Sequence, residues 1–180
     1  SGLLWFGNNS GELIKLDRKT NETTAYKIDV INPGGINYPI IMYITEAHQG
    51  DLWLGTWGQG LIKFEMKNER FVYYRRDKNK SQGISSNFVF QVFEESPATL
   101  WITTSRGLNK MNTADGTFSV YKYEGKPGHH GFNWFYPLHR GQSGGVFWLG
   151  TDGDGFHKFN PEDLQFKSYR FDKNDPTSIS

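Results

Sequence analysis

The chain has 180 residues, with 20 basic and 19 acidic side chains and a formal charge of +1. That balance gives no basis for electrostatic capture of nucleic acid or an anionic membrane. Zero cysteine excludes disulfides and thiolate metal sites. Aromatic residues make up 16% and glycines number 21, a mix that favours many short strands joined by tight turns. There is no apolar run near the length of a membrane span and no signal peptide. The chain lacks an initiator Met and opens on Ser1-Gly2, as an excised segment would.

The first predicted strand is Leu3-Leu-Trp-Phe-Gly7, and its Leu-Trp pair returns at a fixed step. Leu4-Trp5, Leu52-Trp53, Leu100-Trp101 and Phe147-Trp148 put tryptophans 48, 48 and 47 residues apart. A regular period over the whole chain means one structural unit repeated. In the second unit, Leu52-Trp-Leu-Gly-Thr56 is apolar on both faces and Phe71-Val-Tyr-Tyr-Arg75 alternates. The third unit shows four strands: Phe88–Glu94, Leu100–Thr104, Leu108–Asn112 and Thr117–Tyr123. Glu95–Thr99, Ser105–Gly107 and Thr113–Gly116 supply the turns. The fourth unit repeats Phe147-Trp-Leu-Gly-Thr151 and Phe166-Lys-Ser-Tyr-Arg170.

A four-stranded meander of this length is a propeller blade. The predicted fold is therefore all-β, with β-propeller blades of four antiparallel strands in about four repeats. Blade one, lacking its inner strand, spans 1–35. Blades two, three and four span 36–82, 83–127 and 128–172. A lead-in to a next blade follows at 173–180, because Asp172–Ser180 mirrors Asp77–Ser86. Closed propellers have about 4–8 blades, so the chain reads as a partial propeller from a longer array. Its open blade ends are expected to pair with another copy. The apolar second strands fit a blade covered on both sides. The outer fourth strands are expected to carry an apolar face and a charged face. Gly7, Gly55 and Gly150 are expected to permit close packing of backbones.

Asp51-Leu-Trp-Leu-Gly-Thr-Trp-Gly-Gln-Gly-Leu-Ile-Lys-Phe64 followed by Phe71-Val-Tyr-Tyr74 resembles the two-component regulator propeller repeat. So do Gly144–Asn160 and the connector Asn174-Asp-Pro-Thr-Ser-Ile-Ser180. The first unit departs from the pattern, with Asn8-Asn-Ser-Gly11 in place of Gly-Thr-x-Gly. The resemblance covers essentially the whole chain. It implies the periplasmic sensor region of a bacterial hybrid two-component histidine kinase, of the kind common in gut Bacteroidetes, many of which detect oligosaccharides. That family's usual layout adds further blades, a small β-sandwich, a membrane span and a cytoplasmic kinase. It implies a sensor that performs no catalysis in this segment, uses no cofactor and meets the membrane only through another part of its parent. Signal would pass through dimer or propeller geometry.

Repeats hold the framework, so function is expected where the units differ. Counting four antiparallel strands places the blade connectors and the turns between second and third strands on one face. That face carries Tyr38, Phe88 and Trp134 at the starts of inner strands. It also carries Trp57 and Gln59, Ser105 and Arg106, and Asp152 and Asp154. Aromatic rings beside amide, guanidinium and carboxylate groups suit a sugar. The candidate ligand residues are Trp57, Gln59, Arg106, Trp134, Asp152, Asp154 and Tyr38. For Trp57 and Trp134 the alternative is packing against a neighbouring blade, and for Arg106 a solvated turn position. Asn37, Asn87 and Asn133 recur at each inner strand, which reads as a backbone-capping device rather than a ligand contact.

No metal site is expected. Thr151-Asp-Gly-Asp-Gly155 falls short of a calcium loop and reads as a β-turn. His129-His130 sits in a Gly-rich connector, where adjacent histidines do not converge on one ion. His48, His139 and His157 show no partner at this level. Glu94 and Glu95 point to opposite faces of a strand and do not form a catalytic pair. No nucleophile elbow or phosphate loop occurs. Two alternatives to a sensor remain open. One is a purely structural or protein-interaction propeller. The other is a propeller lyase or glycan-active enzyme, for which His129 or His130 with Asp152 would be the only acid–base candidates.

Overall fold

A computed structural model describes residues 2–30, 40–125, 133–141, 145–153 and 155–179. Among these residues there is no helix, and fifteen strands form four antiparallel sheets. Sheet one has three strands, β1 (Leu3–Gly7), β2 (Glu12–Asp17) and β3 (Glu22–Lys27). Sheet two runs β4 (Ile40–Glu46), β5 (Leu52–Trp57), β6 (Leu61–Glu65), β7 (Arg70–Tyr74). Sheet three runs β8 (Val89–Ser96), β9 (Thr99–Thr104), β10 (Gly107–Asn112), β11 (Thr117–Tyr121). Sheet four runs β12 (Phe135–Arg140), β13 (Phe147–Thr151), β14 (Phe156–Asn160), β15 (Gln165–Tyr169). Each sheet is a simple up-and-down meander, the topology of a propeller blade.

One hydrophobic cluster fills each junction between consecutive sheets. Leu13 and Ile28 of sheet one meet Leu52, Leu54, Ile62 and Phe64 of sheet two. Trp53 and Leu61 of sheet two meet Val92, Leu100, Ile102 and Met111 of sheet three. Trp101 and Leu108 of sheet three meet Phe135, Phe147, Leu149 and Phe159 of sheet four. The pattern explains why the second strands are apolar on both faces: β5 and β9 feed alternate side chains to the preceding and following sheets.

The junctions use one recurring device. A Trp of β1, β5, β9 or β13 and a Tyr of the last strand of the same sheet lie together, as Trp5–Tyr26, Trp53–Tyr74, Trp101–Tyr121 and Trp148–Tyr169, with ring centroids 5.7–6.0 Å apart. Each of the first three pairs meets a Phe of the next sheet: Tyr26 lies 4.8 Å from Phe64, Tyr74 6.1 Å from Phe118 and Tyr121 5.2 Å from Phe159. A lysine caps each pair, with Lys15, Lys63, Lys110 and Lys158 5.2–5.9 Å from a ring centroid. Outer strand β7 does not divide into an apolar and a charged face, whereas β15 exposes Gln165 and Lys167 and packs Phe166. Phe71 and Tyr73 of β7 pack toward sheet one while Tyr74 packs toward sheet three. β7 is covered on both sides because its blade has a neighbour on each side, and that overrides the edge-strand rule there.

Two glycines of the second strands are spacers. A Cβ on Gly55 would stand 3.1 Å from both Cγ1 and the carbonyl oxygen of Val89, and one on Gly7 would collide with Ile41. Adjacent blades approach there too closely for a side chain. The inner strands carry a second recurring feature. Register slips by one residue between Ile41 and Tyr43, between Val89 and Gln91, and between Phe135 and Leu138. These are β-bulges at equivalent places, and a bulge re-aims a side chain. At the two ends, Leu4 and Phe6 are 41% and 44% exposed, and the rings of Trp148, Phe156 and Tyr169 pack on one another.

Candidate ligand-binding site

The turn between β5 and β6 is held from inside. The Thr56 hydroxyl donates to the Gly60 carbonyl at 2.6 Å, as Thr104 does to Gly107 at 2.9 Å and Thr151 to Gly155 at 2.8 Å. The turn is then strapped to the next blade. Gly58 and Gly60 N–H groups donate to the Asn87 carbonyl at 3.0 and 2.9 Å, and Gly107 N–H donates to the Asn133 carbonyl at 2.9 Å. The Asn87 side-chain oxygen accepts from Arg76 N–H at 2.7 Å, and that of Asn133 from Tyr123 N–H at 2.7 Å. Asn87 and Asn133 are thus joints of the framework, linking each inner strand to the preceding outer strand and turn.

With its turn tied down, Trp57 is presented to the start of β8. Its ring centroid lies 5.1 Å from Phe88, 5.9 Å from Phe90 and 6.5 Å from Trp134. Phe90 stacks on Tyr136 at 4.3 Å, and Trp134 lies 6.4 Å from Tyr136. Five aromatic side chains from sheets two, three and four converge in this way. Phe90 is 6% exposed and forms the floor; Trp57, Phe88, Trp134 and Tyr136 are half-buried. Burial raises the Tyr136 phenol above its ordinary range, and the nearby Asp152 carboxylate adds to the shift. Asp152 is exposed, so a carboxylate stands beside the aromatic surface.

The structure brings Trp57, Trp134 and Asp152 into one neighbourhood. Gln59 is elsewhere: it is 1% exposed, its backbone N–H donates to the Thr56 hydroxyl, and its side-chain oxygen lies 3.4 Å from Arg75. A turn residue whose amide closes the turn faces inward, so Gln59 is not offered to a ligand. Arg106 is exposed and lines a separate groove with the connector that leads into sheet three. Tyr38, Asp154, Asn37, His129 and His130 lie outside the described residues. Phe90 and Tyr136 were not anticipated. Their signal was the spacing Phe88/Phe90 and Trp134/Tyr136, two residues apart on an inner strand; the bulges at those points mask it.

Among the described residues no group of three His, Asp or Glu side chains is placed to hold a metal ion. His48 does have a partner, with Nδ1 3.1 Å from Glu94 Oε2. His157 is fully buried, 4.4 Å from the ring of Tyr123. Glu94 and Glu95 diverge as strand neighbours must: Glu94 meets His48 of sheet two, while Glu95 lies 3.2 Å from Arg140 of sheet four.

No protein-family model matches this chain, and no curated protein matches it. Solved structures do. The extracellular domain assigned to the hybrid two-component system BT3049 of B. thetaiotaomicron superposes with a TM-score of 0.76 at 20% identity, over 94% of this chain and 23% of that one. The corresponding domain of BT4673 from the same organism gives 0.70 at 20% identity, over 93% and 23%. The Cps50 (Swd1) β-propeller domain of Myceliophteria thermophila gives 0.67 at 10% identity, over 94% and 53%. The chain spans about a quarter of the length of the two bacterial domains. At these identities the likeness shows the fold, an all-β propeller.

Proposed function

We propose that this chain is a segment of the extracytoplasmic, periplasmic sensor propeller of a hybrid two-component histidine kinase, and that its aromatic face binds a glycan oligosaccharide. One observation carries the reading: five aromatic rings converge from three blades beside an exposed carboxylate. Sugar ring faces stack on aromatic side chains, while hydroxyls need a directional acceptor. Trp57 sits where the repeats differ, with Ser105 and Asp152 at its place in the next two units, while Phe88 and Trp134 follow the recurring Asn and Phe90 and Tyr136 stand two residues further on. A ligand gripping Trp57, Phe88 and Trp134 together would bias the spacing of three blades, and such a bias is a signal that a neighbouring domain can read. The likeness to the extracellular domains of two-component systems supports this role.

The test is titration calorimetry with an oligosaccharide panel, on this chain and on the longer ectodomain that the reading requires. Trp57→Ala and Trp134→Ala are each expected to weaken binding by about threefold to tenfold, with far-UV circular dichroism unchanged. Unaltered affinity in both variants removes the site. The second reading is a packing role, favoured by the contact of the rings with one another. It predicts lowered stability in both variants and no saccharide binding by the parent chain.

Self-association through the open blade faces belongs to the same proposal. Leu4 and Phe6 occupy the places of Leu52 and Leu54, which in sheet two are covered by sheet one. Trp148 and Tyr169 occupy the places of Trp101 and Tyr121, which sheet four covers. The two end faces are therefore of the kinds that pair at each internal junction. Light scattering at tens of micromolar is expected to show oligomers, and Leu4→Glu with Phe6→Glu to reduce them. A monodisperse parent monomer removes the idea.

A further inference from the structure

The connector from sheet two to sheet three crosses the upper edge of sheet three and is fastened to it. The Gln82 carbonyl accepts from Phe118 N–H at 2.9 Å, Ser85 N–H donates to the Asn109 side chain at 2.9 Å, and Ile84 is 2% exposed. Between this connector and the β9–β10 turn lies a groove of about 460 Å³. Five cationic side chains line it: Arg76, Lys78, Lys80, Arg106 and Lys122. The acids in the lining are Asp77 and Glu124, and one Asp77 oxygen already accepts from Asn79 N–H at 2.9 Å. Among the described residues none of the five cations forms an ion pair. A chain of charge +1 overall thus concentrates unpaired positive charge at one place.

The concentration is not a property of the repeat. The C-terminal segment repeats this connector, and the groove of about 810 Å³ between it and the end of β15 is lined by Arg170 and Lys173 against Asp172 and Asp175. Asp77-Lys-Asn and Asp172-Lys-Asn coincide, but Lys80 stands where the other segment has Asp175. Likewise Ser105-Arg106 stands where the turn of sheet four has Asp152-Gly153. A framework needs none of these differences. Clustered like charges repel one another, and a multivalent anion relieves that repulsion. The Arg guanidinium matches carboxylate and sulfate geometry with paired donors.

We infer that this groove binds the anionic groups of an acidic saccharide, one carrying carboxylates or sulfates. The choice of a saccharide rests on the reading of the aromatic face. Ser85 lines the groove and Phe88 lies in the aromatic cluster, so the two places are at most about 11 Å apart along the backbone. One oligosaccharide reaches both.

The test is titration of this chain with an oligogalacturonate, its methyl ester, and a sulfated oligosaccharide of matched length. It is run on the parent, on Arg106→Gln with Lys122→Gln, and on Trp134→Ala. The acidic oligomers are expected to bind about tenfold or more tighter than the methyl ester at low salt, with the gap closing as salt rises. The double variant is expected to abolish the gap without weakening the ester. Whichever acidic oligomer binds tighter identifies the charged group. Equal binding of acid and ester, or a gap that survives in the double variant, overturns the inference and leaves the aromatic reading standing if Trp134→Ala weakens both. A gap lost in the double variant with no effect of Trp134→Ala upholds the groove and removes the aromatic platform. Absence of binding to all three oligomers overturns both.

Discussion

Trp101→Ala is expected to destabilise the chain by about 3–5 kcal/mol, the range for deleting a fully buried large aromatic side chain. Trp101 is 1% exposed. Its ring lies 4.9 Å from Phe147, 5.7 Å from Phe159 and 5.7 Å from Tyr121, so it holds sheet three to sheet four. Its indole N–H donates to Glu95 at 3.1 Å, and Glu95 in turn meets Arg140 of sheet four at 3.2 Å. Truncation would open a cavity at the junction and strand that carboxylate contact. Trp148 is the informative control. It sits at the same place in the repeat with the same Tyr and Lys partners, but it is only half-buried because no sheet among the described residues covers it. Trp148→Ala is expected to cost less than half as much. Urea unfolding of both variants checks this; equal losses would show that the neighbouring blade contributes little to the burial energy.

Gly60→Ala is expected to cost about 3 kcal/mol or more. Gly60 has φ +83°, and a Cβ there would run into the carbonyl oxygen of Tyr74. The left-handed conformation alone costs an L-residue about 1–2 kcal/mol, and displacing a strand carbonyl adds to that. Gly50 separates the two contributions, having the same φ of +83° with nothing within 4 Å of its hypothetical Cβ. Gly50→Ala is expected to show only the conformational cost, about 1–2 kcal/mol by urea unfolding. The Gly60 change has a functional consequence as well. The Gly60 N–H is one of the straps to Asn87 that hold the turn carrying Trp57 against Phe88. Saccharide affinity is therefore expected to fall with stability in Gly60→Ala and to be unchanged in Gly50→Ala. Equal destabilisation by the two substitutions would mean that the strand moves aside at no cost.

The spacing of four tryptophans and the turn residues between them were enough to place every strand of the third unit to within about two residues. The spacer role of Gly7 and Gly55 and the framework role of Asn87 and Asn133 were legible for the same reason. Each follows from a local rule repeated in every unit. The candidate site was legible only in part. Trp57 and Trp134 could be named because neither recurs as Trp in the other units, but their approach to 6.5 Å across 77 positions could not. Gln59 shows the converse: adjacent to the right face in sequence, it is turned inward by the hydrogen bonds that close its turn.

Strand period, turn chemistry and repeat length are written in residues a few positions apart, so the sequence alone determined the all-β meander and the blade architecture. The tertiary structure decided what lies between blades: the outer-strand aromatics that face both neighbours, the bulged Phe90 and Tyr136 that complete the aromatic surface, and the unpaired cations gathered along one connector. The physical reason is the same in each case. A bulge breaks the alternation from which side-chain direction is read. Packing between sheets and the summing of charge around a groove depend on distances that no local pattern records.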